Sequence, residues 1–225
     1  MKNTIHIFYY RHEENLKEEI FQQFFSALPV SFQDEIRKYK FRNSAESSLL
    51  GKIILKYGFQ KLKLNYYLQD LKSDANERPF IQDDLDFNIS HSGNYIICAI
   101  SQNSRVGIDI EKHRILKTNI ADRYFDSNEC REIEIAIDSS KAFFDLWSLK
   151  ESAIKCDGRG VEVLSKTHKQ YESENRNTVF CDRVTFHYKQ LEIEPFYSCC
   201  VCSNVQFDVE LQQLNLDDVL NTRII

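Results

Sequence analysis

Two acidic side chains in one predicted strand are the first candidates for chemistry. In the segment Val106–Glu111, alternation places Asp109 and Glu111 on one face, roughly 6–7 Å apart along the backbone, while Ile108 and Ile110 face the core. Paired carboxylates suit a hard cation such as Mg²⁺, which completes its shell with water and phosphate oxygens. A solvated strand face without metal explains the same spacing, so both interpretations stay open at this point.

A third acidic residue lies in a helical segment that carries the single tryptophan of the chain. Trp147, Glu151 and Lys155 follow at intervals of four and share one helix face. A Glu–Lys pair that merely stabilises the helix explains two of them, and Trp147 also suits a core position. For these residues alone the helix-stabilising pair is the favoured interpretation. The tryptophan beside the pair and the turn 158–160 that follows count against it.

Two further segments offer groups that bind anions. Phe87–Gly93 joins a strand to a turn in which Ser90, His91 and backbone N–H groups can hold phosphate oxygens. A Ser–His nucleophile is rejected, because adjacent strand residues point to opposite faces. Arg37–Arg42 carries four positive charges in six residues, which indicates either an anion-attracting patch or a solvated helix face.

Helices and strands must bring these segments together. Periodicity predicts an α+β protein of two similar subdomains, each a helix packed on a small antiparallel sheet, related by a pseudo-twofold axis. Ser48–Gly58 matches Ser148–Gly158 at four of eleven positions, and the predicted boundary near Asn103 gives subdomains 1–103 and 104–225. The predicted helices are 13–28, 31–40, 44–58, 118–125, 127–137 and 139–156, and the predicted strands are 5–10, 87–90, 95–101, 106–111, 183–188, 197–201 and 205–209, with a polar loop at 166–178.

Composition bounds the class of protein. The 225 residues include 29 basic and 34 acidic side chains, for a net charge of −5, so the whole surface is not suited to nucleic acid. Six glycines and three prolines are too few for collagen-like or low-complexity chains. The seven cysteines are expected to be reduced, and the absence of a long apolar run or a signal peptide predicts a cytoplasmic protein with no membrane span.

Together these segments resemble the 4′-phosphopantetheinyl transferases, in the larger two-domain subfamily typified by the surfactin-type enzymes. The matching motifs are Phe87–Gly93, Gly107–Glu111 and Trp147–Lys155, in the family's order and spacing, with a weaker stretch from Arg42 to Gly51. The resemblance spans most of the chain. The family transfers the phosphopantetheine arm of coenzyme A to a serine of an acyl or peptidyl carrier protein and releases adenosine 3′,5′-bisphosphate.

The resemblance implies a role for each matching residue. Asp109, Glu111 and Glu151 would bind Mg²⁺, and Glu151 and Lys155 would be catalytic, Glu151 as general base and Lys155 on the diphosphate. Lys150 would lie on a phosphate nearby. Seven further residues would contact coenzyme A: Ser90 and His91 at its phosphates, Arg37 at the 3′-phosphate, Arg78 and Pro79 along the adenine, and Arg42 and Ser48 in the N-terminal stretch.

The family also implies the assembly and the partners. The site would lie in the cleft between the halves of a monomer, with the carrier protein as transient partner and neither nucleic acid nor membrane involved. Ser152 replaces a common alanine and Arg78 a common lysine, which leaves the metal residues untouched. Two other functions fit part of this pattern. A non-catalytic relative that binds coenzyme A or a carrier is disfavoured by the complete residue set, and an Mg²⁺-dependent phosphodiesterase or nuclease is disfavoured by the lack of a basic stripe.

Overall fold

The structure is a computed structural model that describes residues 3–76, 78–81, 85–115, 121–171 and 177–224. The helices are α1 (Glu18–Ala27), α2 (Val30–Arg37), α3 (Arg42–Lys61), α4 (Ala121–Tyr124), α5 (Ser127–Ile135), α6 (Ser139–Asp157) and α7 (Leu216–Leu220). The strands are β1 (Asn3–Arg11), β2 (Lys72–Ser73), β3 (Pro79–Phe80), β4 (Leu85–Ser92), β5 (Tyr95–Gln102), β6 (Val106–Lys112), β7 (Thr167–Lys169), β8 (Thr178–Cys181), β9 (Val184–Leu191), β10 (Tyr197–Ser203) and β11 (Phe207–Leu214).

Two main sheets carry the fold, which confirms the predicted α+β class with two sheet-containing halves. The first has the order β11-β1-β5-β4 and the second β6-β10-β9-β8-β7, while β2 and β3 form a separate pair. All pairs are antiparallel except β1 with β11. Strand β11 lies near the end of the sequence but joins the first sheet. The division of the chain into subdomains 1–103 and 104–225 stays a prediction.

Alternation along the strands divides the interior into layers. On β1, Phe8 belongs to the core beneath α3, whereas Ile7 belongs to a core shared by the two sheets. Strand β10 repeats the division, because Val201 lies in the shared core and Cys202 in the core beneath α6. Each long helix therefore covers the outer face of one sheet, and the inner faces pack together.

Helix α6 approaches β6 too closely for any side chain at Gly107. A Cβ atom there would lie 2.1 Å from the backbone oxygen of Ser152 and 2.4 Å from the amide nitrogen of Cys156. Because residues 107, 109 and 111 share one face of β6, the same close approach brings the two acidic side chains of this strand against α6.

Several predicted elements differ from those observed. Helix α1 begins at Glu18 rather than near residue 13, and α2 begins at Val30, with Pro29 and not Ser31 in the N-cap position. The predicted loop 166–178 contains the edge strand β7 and the first residue of β8. Polar residues such as Thr167 and Thr178 are buried in these strands, so polarity alone did not distinguish the segment from a loop. The predicted helix 118–125 lies partly outside the described residues, which show α4 at its end.

The cysteine side chains and the character of the helices bear on two further expectations from the sequence. All seven cysteines are free, as expected for reduced thiols, and six are buried. Among the described residues, no helix combines the length and the apolar character that a membrane span requires.

Candidate active site

Six of the predicted site residues meet at one cavity of about 400 Å³ bounded by β4, β6 and α6. These six are Ser90, His91, Asp109, Glu111, Glu151 and Lys155, and they share the cavity wall with Ile89, Ile110, Arg114 and Trp147. A larger groove of about 900 Å³ between the α1 region and α7 holds none of the predicted residues. The smaller cavity, which holds the predicted residues, is the candidate active site.

Asp109 lies at the centre of this cavity and uses only one of its oxygens. Its Oδ1 accepts hydrogen bonds from Lys155 Nζ at 2.6 Å and from the Ser90 hydroxyl at 2.9 Å. Its Oδ2 is buried and has no hydrogen-bond partner among the described residues. A buried carboxylate oxygen without a partner is costly, and a divalent cation is a group that would satisfy it. The residues present therefore fit a metal ion.

The charges around Asp109 lead to the same conclusion. Burial first, and then the negative charge of Asp109, raise the pKa of Glu151 to about 7, against the opposing effect of Lys155. The same two causes, in the same order, raise the pKa of Glu111. Three carboxyl groups share this cavity with two cationic side chains, Lys155 and Arg114, so negative charge is in excess, as is common where a protein binds a cation.

A row of side chains joins the first sheet to the second beside this cavity. Four residues of β4 accept hydrogen bonds from alternate backbone amides of β6: Asp86 from Val106 (2.8 Å), Asn88 from Ile108 (2.9 Å), Ser90 from Ile110 (3.4 Å) and Ser92 from Lys112 (3.1 Å). We refer to these four contacts as the β4–β6 seam. The seam sets the position of β4 relative to β6, and therefore of Ser90 relative to Asp109.

Helix α6 supplies the third wall. The ammonium group of Lys155 also donates to Ser90 Oγ at 3.1 Å and to the backbone oxygen of Ile108 at 3.4 Å, so three protein oxygens hold it. Trp147 stacks on Phe143 with ring centroids 6.1 Å apart and planes 7° from parallel. The prediction that residues 147, 151 and 155 share a face is confirmed, since all three line the cavity.

His91 stands near two lysines, one of which the sequence analysis missed. Desolvation, followed by the positive charges of Lys155 and Lys52, lowers the pKa of His91. Lys52 donates to Glu35 Oε1 at 2.9 Å and to Ser48 Oγ at 3.0 Å, which places the predicted residue Ser48 within this charged group. The spacing of four between residues 48 and 52 on a helix was the signal that could have identified Lys52.

The three predicted arginines have protein partners and lie outside the cavity wall. Arg37 is exposed and pairs with Asp34 at 2.7 Å, and Arg42 pairs with Glu46 at 2.7 Å. Arg78, which precedes Pro79 at the start of β3, donates to Asp86 at 2.8 Å. Its guanidinium also donates to the backbone oxygens of Lys155, at 3.1 Å, and of Val106, at 3.0 Å. Roles of these residues toward coenzyme A stay predictions.

Lys150 requires a correction, because the structure does not place it at a phosphate site. Its side chain is fully buried, pairs with Glu129 at 2.8 Å and donates to the backbone oxygen of Thr167. Burial lowers its pKa, and the pair with Glu129 opposes that effect. Lys150 follows Trp147 by three residues, but it projects from the opposite side of α6 to Lys155, into the interior. The resemblance placed Lys150 on a phosphate, and its burial against Glu129 contradicts that placement.

A second acidic group lies beside that buried lysine. Ligand atoms of Asp126, Glu129 and His168 all lie within 4.8 Å of one another. Structural contacts account for its two carboxylates, because Asp126 caps α5 and accepts from the amides of Asn128 and Glu129 at 2.8 and 2.9 Å. Glu129 in turn accepts from the amide of Asp126 at 2.9 Å and holds Lys150. This cluster is a helix cap joined to a buried ion pair.

Comparison with known families identifies the class. A family model for the 4′-phosphopantetheinyl transferase superfamily matches residues 105–202, and one for the N-terminal part of a 4′-phosphopantetheinyl transferase matches residues 15–103. The first match contains Asp109, Glu111, Glu151 and Lys155, and the second contains Ser90 and His91. The chain belongs to the 4′-phosphopantetheinyl transferase superfamily.

Similar proteins narrow the class further. The 4′-phosphopantetheinyl transferase gsp of Aneurinibacillus migulanus is 29% identical over 84% of this chain and 82% of its own length. The 4′-phosphopantetheinyl transferase Sfp of Bacillus subtilis is 28% identical over 91% of this chain and 95% of its own. A putative 4′-phosphopantetheinyl transferase of Haemophilus influenzae is 30% identical over 55% of this chain and 57% of its own. This enzyme is of the type that Sfp and gsp represent.

Proposed function

We propose that this enzyme transfers the 4′-phosphopantetheine moiety of coenzyme A to a serine hydroxyl of an apo acyl or peptidyl carrier protein and releases adenosine 3′,5′-bisphosphate. The observation that carries the proposal is the cavity in which Asp109, Glu111, Glu151 and Lys155 meet Ser90, in a chain of this superfamily. Coenzyme A and the carrier would be the two substrates, and the carrier a transient partner. Both sides of the cavity come from one chain, which supports action as a monomer, and we place the reaction in the cytoplasm.

A magnesium ion would be held by Asp109, Glu111 and Glu151. The orphaned Oδ2 of Asp109 and the raised pKa values of the two glutamates support this assignment. When bound, Mg²⁺ would supply neutralising charge to the diphosphate of coenzyme A. Oxygen ligands from carboxylates are those that Mg²⁺ prefers.

Lys155 supplies the cationic side chain of the mechanism. Its ammonium group sits at the cavity wall, 28% of its side chain is exposed, and its protein contacts are to oxygens. Such a group stabilises negative charge that builds up on the phosphoryl oxygens during transfer. His91, with its lowered pKa, is mainly neutral at pH 7 and therefore acts as a hydrogen-bonding group near the phosphates.

Glu151 is suited to accept the proton of the incoming hydroxyl. In the protein without metal, its pKa of about 7 lies near neutral pH, in the range in which general bases operate. In the proposed step the serine oxygen forms a bond to the β-phosphorus of coenzyme A, and the bond from that phosphorus to the bridging oxygen breaks. The proton of the serine goes to Glu151, and adenosine 3′,5′-bisphosphate leaves with the bridging oxygen.

Intact mass spectrometry of an apo carrier protein tests this function. Incubation with the enzyme, coenzyme A and Mg²⁺ is expected to add one phosphopantetheine per carrier and to produce an equal amount of adenosine 3′,5′-bisphosphate. EDTA and a carrier whose acceptor serine is replaced by alanine are the controls, and both are expected to show no gain. No mass gain across several carriers, or release of the bisphosphate at the same rate without carrier, would contradict the proposal.

A further inference from the structure

Two serines of the β4–β6 seam have the same pair of contacts. Ser90 Oγ accepts from the amide of Ile110 at 3.4 Å and its hydroxyl donates to Asp109 at 2.9 Å. Ser92 Oγ accepts from the amide of Lys112 at 3.1 Å and its hydroxyl donates to Glu111 Oε2 at 3.1 Å. Each serine therefore accepts a hydrogen bond from the backbone amide of the residue after an acidic residue. Its hydroxyl donates a hydrogen bond to the carboxylate of that acidic residue.

The chemistry of a hydroxyl makes this arrangement directional. A serine has one hydrogen and two lone pairs. Because the amide of Lys112 occupies a lone pair of Ser92, the hydroxyl hydrogen is left for the carboxylate of Glu111. A hydrogen bond to a charged acceptor is stronger than one between neutral groups, so this contact restrains the carboxylate.

Glu111 has little else to fix it. Its side chain is 17% exposed, and its ionic neighbour Arg114 lies 4.0 Å away on a side chain that is 68% exposed. An exposed pair at that distance contributes little. The hydrogen bond from Ser92, at 3.1 Å, is much shorter than this ion pair.

We propose that Ser92 is a positioning residue that orients Glu111 for a divalent cation, an inference that rests on the proposed function. Through Ser90 and Ser92, the β4–β6 seam would then fix the orientation of both carboxylates of β6, Asp109 and Glu111. Groups that hydrogen-bond to metal ligands fix the orientation of those ligands and raise metal affinity. Ser92 belongs to β4 and Glu111 to β6, so the first sheet contributes to the geometry of a site whose carboxylates come from the second half.

Manganese titration followed by electron paramagnetic resonance tests the proposal directly on the whole protein. Ser92→Ala is expected to raise the Kd for Mn²⁺ about tenfold. Ser92→Thr, which keeps the hydroxyl, is expected to remain within about twofold of the wild type. In transfer assays, the loss in Ser92→Ala is expected to be recovered at saturating Mg²⁺, so the apparent KM for metal changes more than kcat.

Asn88→Ala is the matched control. Asn88 belongs to the same seam and accepts from the amide of Ile108 at 2.9 Å, but this seam contact touches no carboxylate. It is expected to lower the melting temperature at least as much as Ser92→Ala while leaving the Kd for Mn²⁺ within about twofold.

Three outcomes would overturn the inference. Wild-type affinity for Mn²⁺ in Ser92→Ala would show that Ser92 does not position the ligand, and the proposed function would stand. Equal weakening in Ser92→Ala and Asn88→Ala, without rescue by Ser92→Thr, would assign the seam a purely structural role. Failure of the wild type itself to bind Mn²⁺ would overturn this inference together with the metal assignment in the proposed function.

Discussion

Two lysines of helix α6 show how one residue type acquires opposite roles five positions apart. Lys150 pairs with Glu129 at 2.8 Å, and Lys155 pairs with Asp109 at 2.6 Å. Both members of the first pair are fully buried, whereas 28% of the Lys155 side chain is exposed at the cavity. The two pairs have similar distances, so distance alone does not distinguish a structural ion pair from a candidate catalytic one.

The difference lies in how far the partner carboxylate is satisfied. Glu129 Oε1 accepts from the amide of Lys169 at 3.0 Å, and Oε2 accepts from the amide of Asp126 and pairs with Lys150. Asp109 leaves Oδ2 without a hydrogen-bond partner among the residues described. A carboxylate whose two oxygens both have protein partners stabilises the fold. A carboxylate with one oxygen lacking a partner, beside other carboxylates, is available for a ligand.

The largest expected effect is the loss of the buried pair. Lys150→Met would leave Glu129 without its cation in the interior, which typically costs about 3–5 kcal/mol. Urea unfolding measures that loss, and the kcat of the protein that remains folded at low temperature is expected to equal that of the wild type. A stable variant with a reduced kcat would instead return Lys150 to the active site.

Lys155→Met is the matched change at the cavity. We expect the transfer rate to fall about 10²- to 10³-fold, because a cation that stabilises transition-state charge is removed. Stability is expected to fall as well, but less than in Lys150→Met, because Asp109 loses its cation at a position that water partly reaches. Steady-state kinetics with coenzyme A and a carrier measures the effect, and a loss below tenfold would remove Lys155 from the mechanism.

Gly107→Ala tests the close approach that brings β6 to α6. The added Cβ meets backbone atoms of α6 that can move only with the helix, so we expect a loss of about 2–3 kcal/mol in urea unfolding. Gly160→Ala is the control, since its Cβ meets nothing within 4 Å and only its positive φ of 72° opposes the change. That control is expected to lose about 1 kcal/mol. Equal losses would show that the approach is not constraining.

Glu151→Gln gives the smallest expected effect, and its sign depends on pH. The pKa of Glu151 is raised to about 7 in the folded protein, so the unfolded chain releases this proton more readily. The wild-type protein without metal therefore loses stability as the pH rises from about 4.5 to 7, and the glutamine variant lacks that loss. We expect the variant to be more stable by about 1–2 kcal/mol at pH 8, less than the full shift implies because the carboxyl keeps some contact with water.

Thermal unfolding at pH 5 and pH 8 in EDTA measures this difference. The two proteins are expected to have nearly equal stability at pH 5, where the carboxyl is protonated in the fold. A variant that is less stable than the wild type at pH 8 would contradict the raised pKa.

Strand β6 and helix α6 show how much of the site could be predicted from the sequence. Regular alternation in β6 and the spacing of four in α6 correctly placed Asp109, Glu111, Glu151 and Lys155 on shared faces, because those periods are properties of the backbone. The fold class followed from the same periodicities. Local patterns carry this information without any knowledge of tertiary contacts.

Tertiary contacts account for what was missed. The resemblance placed Lys150 on a phosphate. Its buried partner Glu129 is 21 positions away, and no local pattern joins the two residues. The return of β11 to the first sheet depends on pairing with β1 across the whole chain. Ser92 could have been identified, since it shares the strand face of Ser90, but its partner Glu111 lies on another strand.

Mn²⁺ titration tests most directly whether the metal ion binds at the cavity around Asp109 or at the cluster of Asp126, Glu129 and His168. Titrations of the wild type, Asp109→Asn and His168→Asn would be followed by electron paramagnetic resonance. We predict that the wild type and His168→Asn bind one Mn²⁺ with similar affinity, whereas Asp109→Asn loses this binding. Loss of binding in His168→Asn with retention in Asp109→Asn would contradict the account and move the metal site to the cluster at α5.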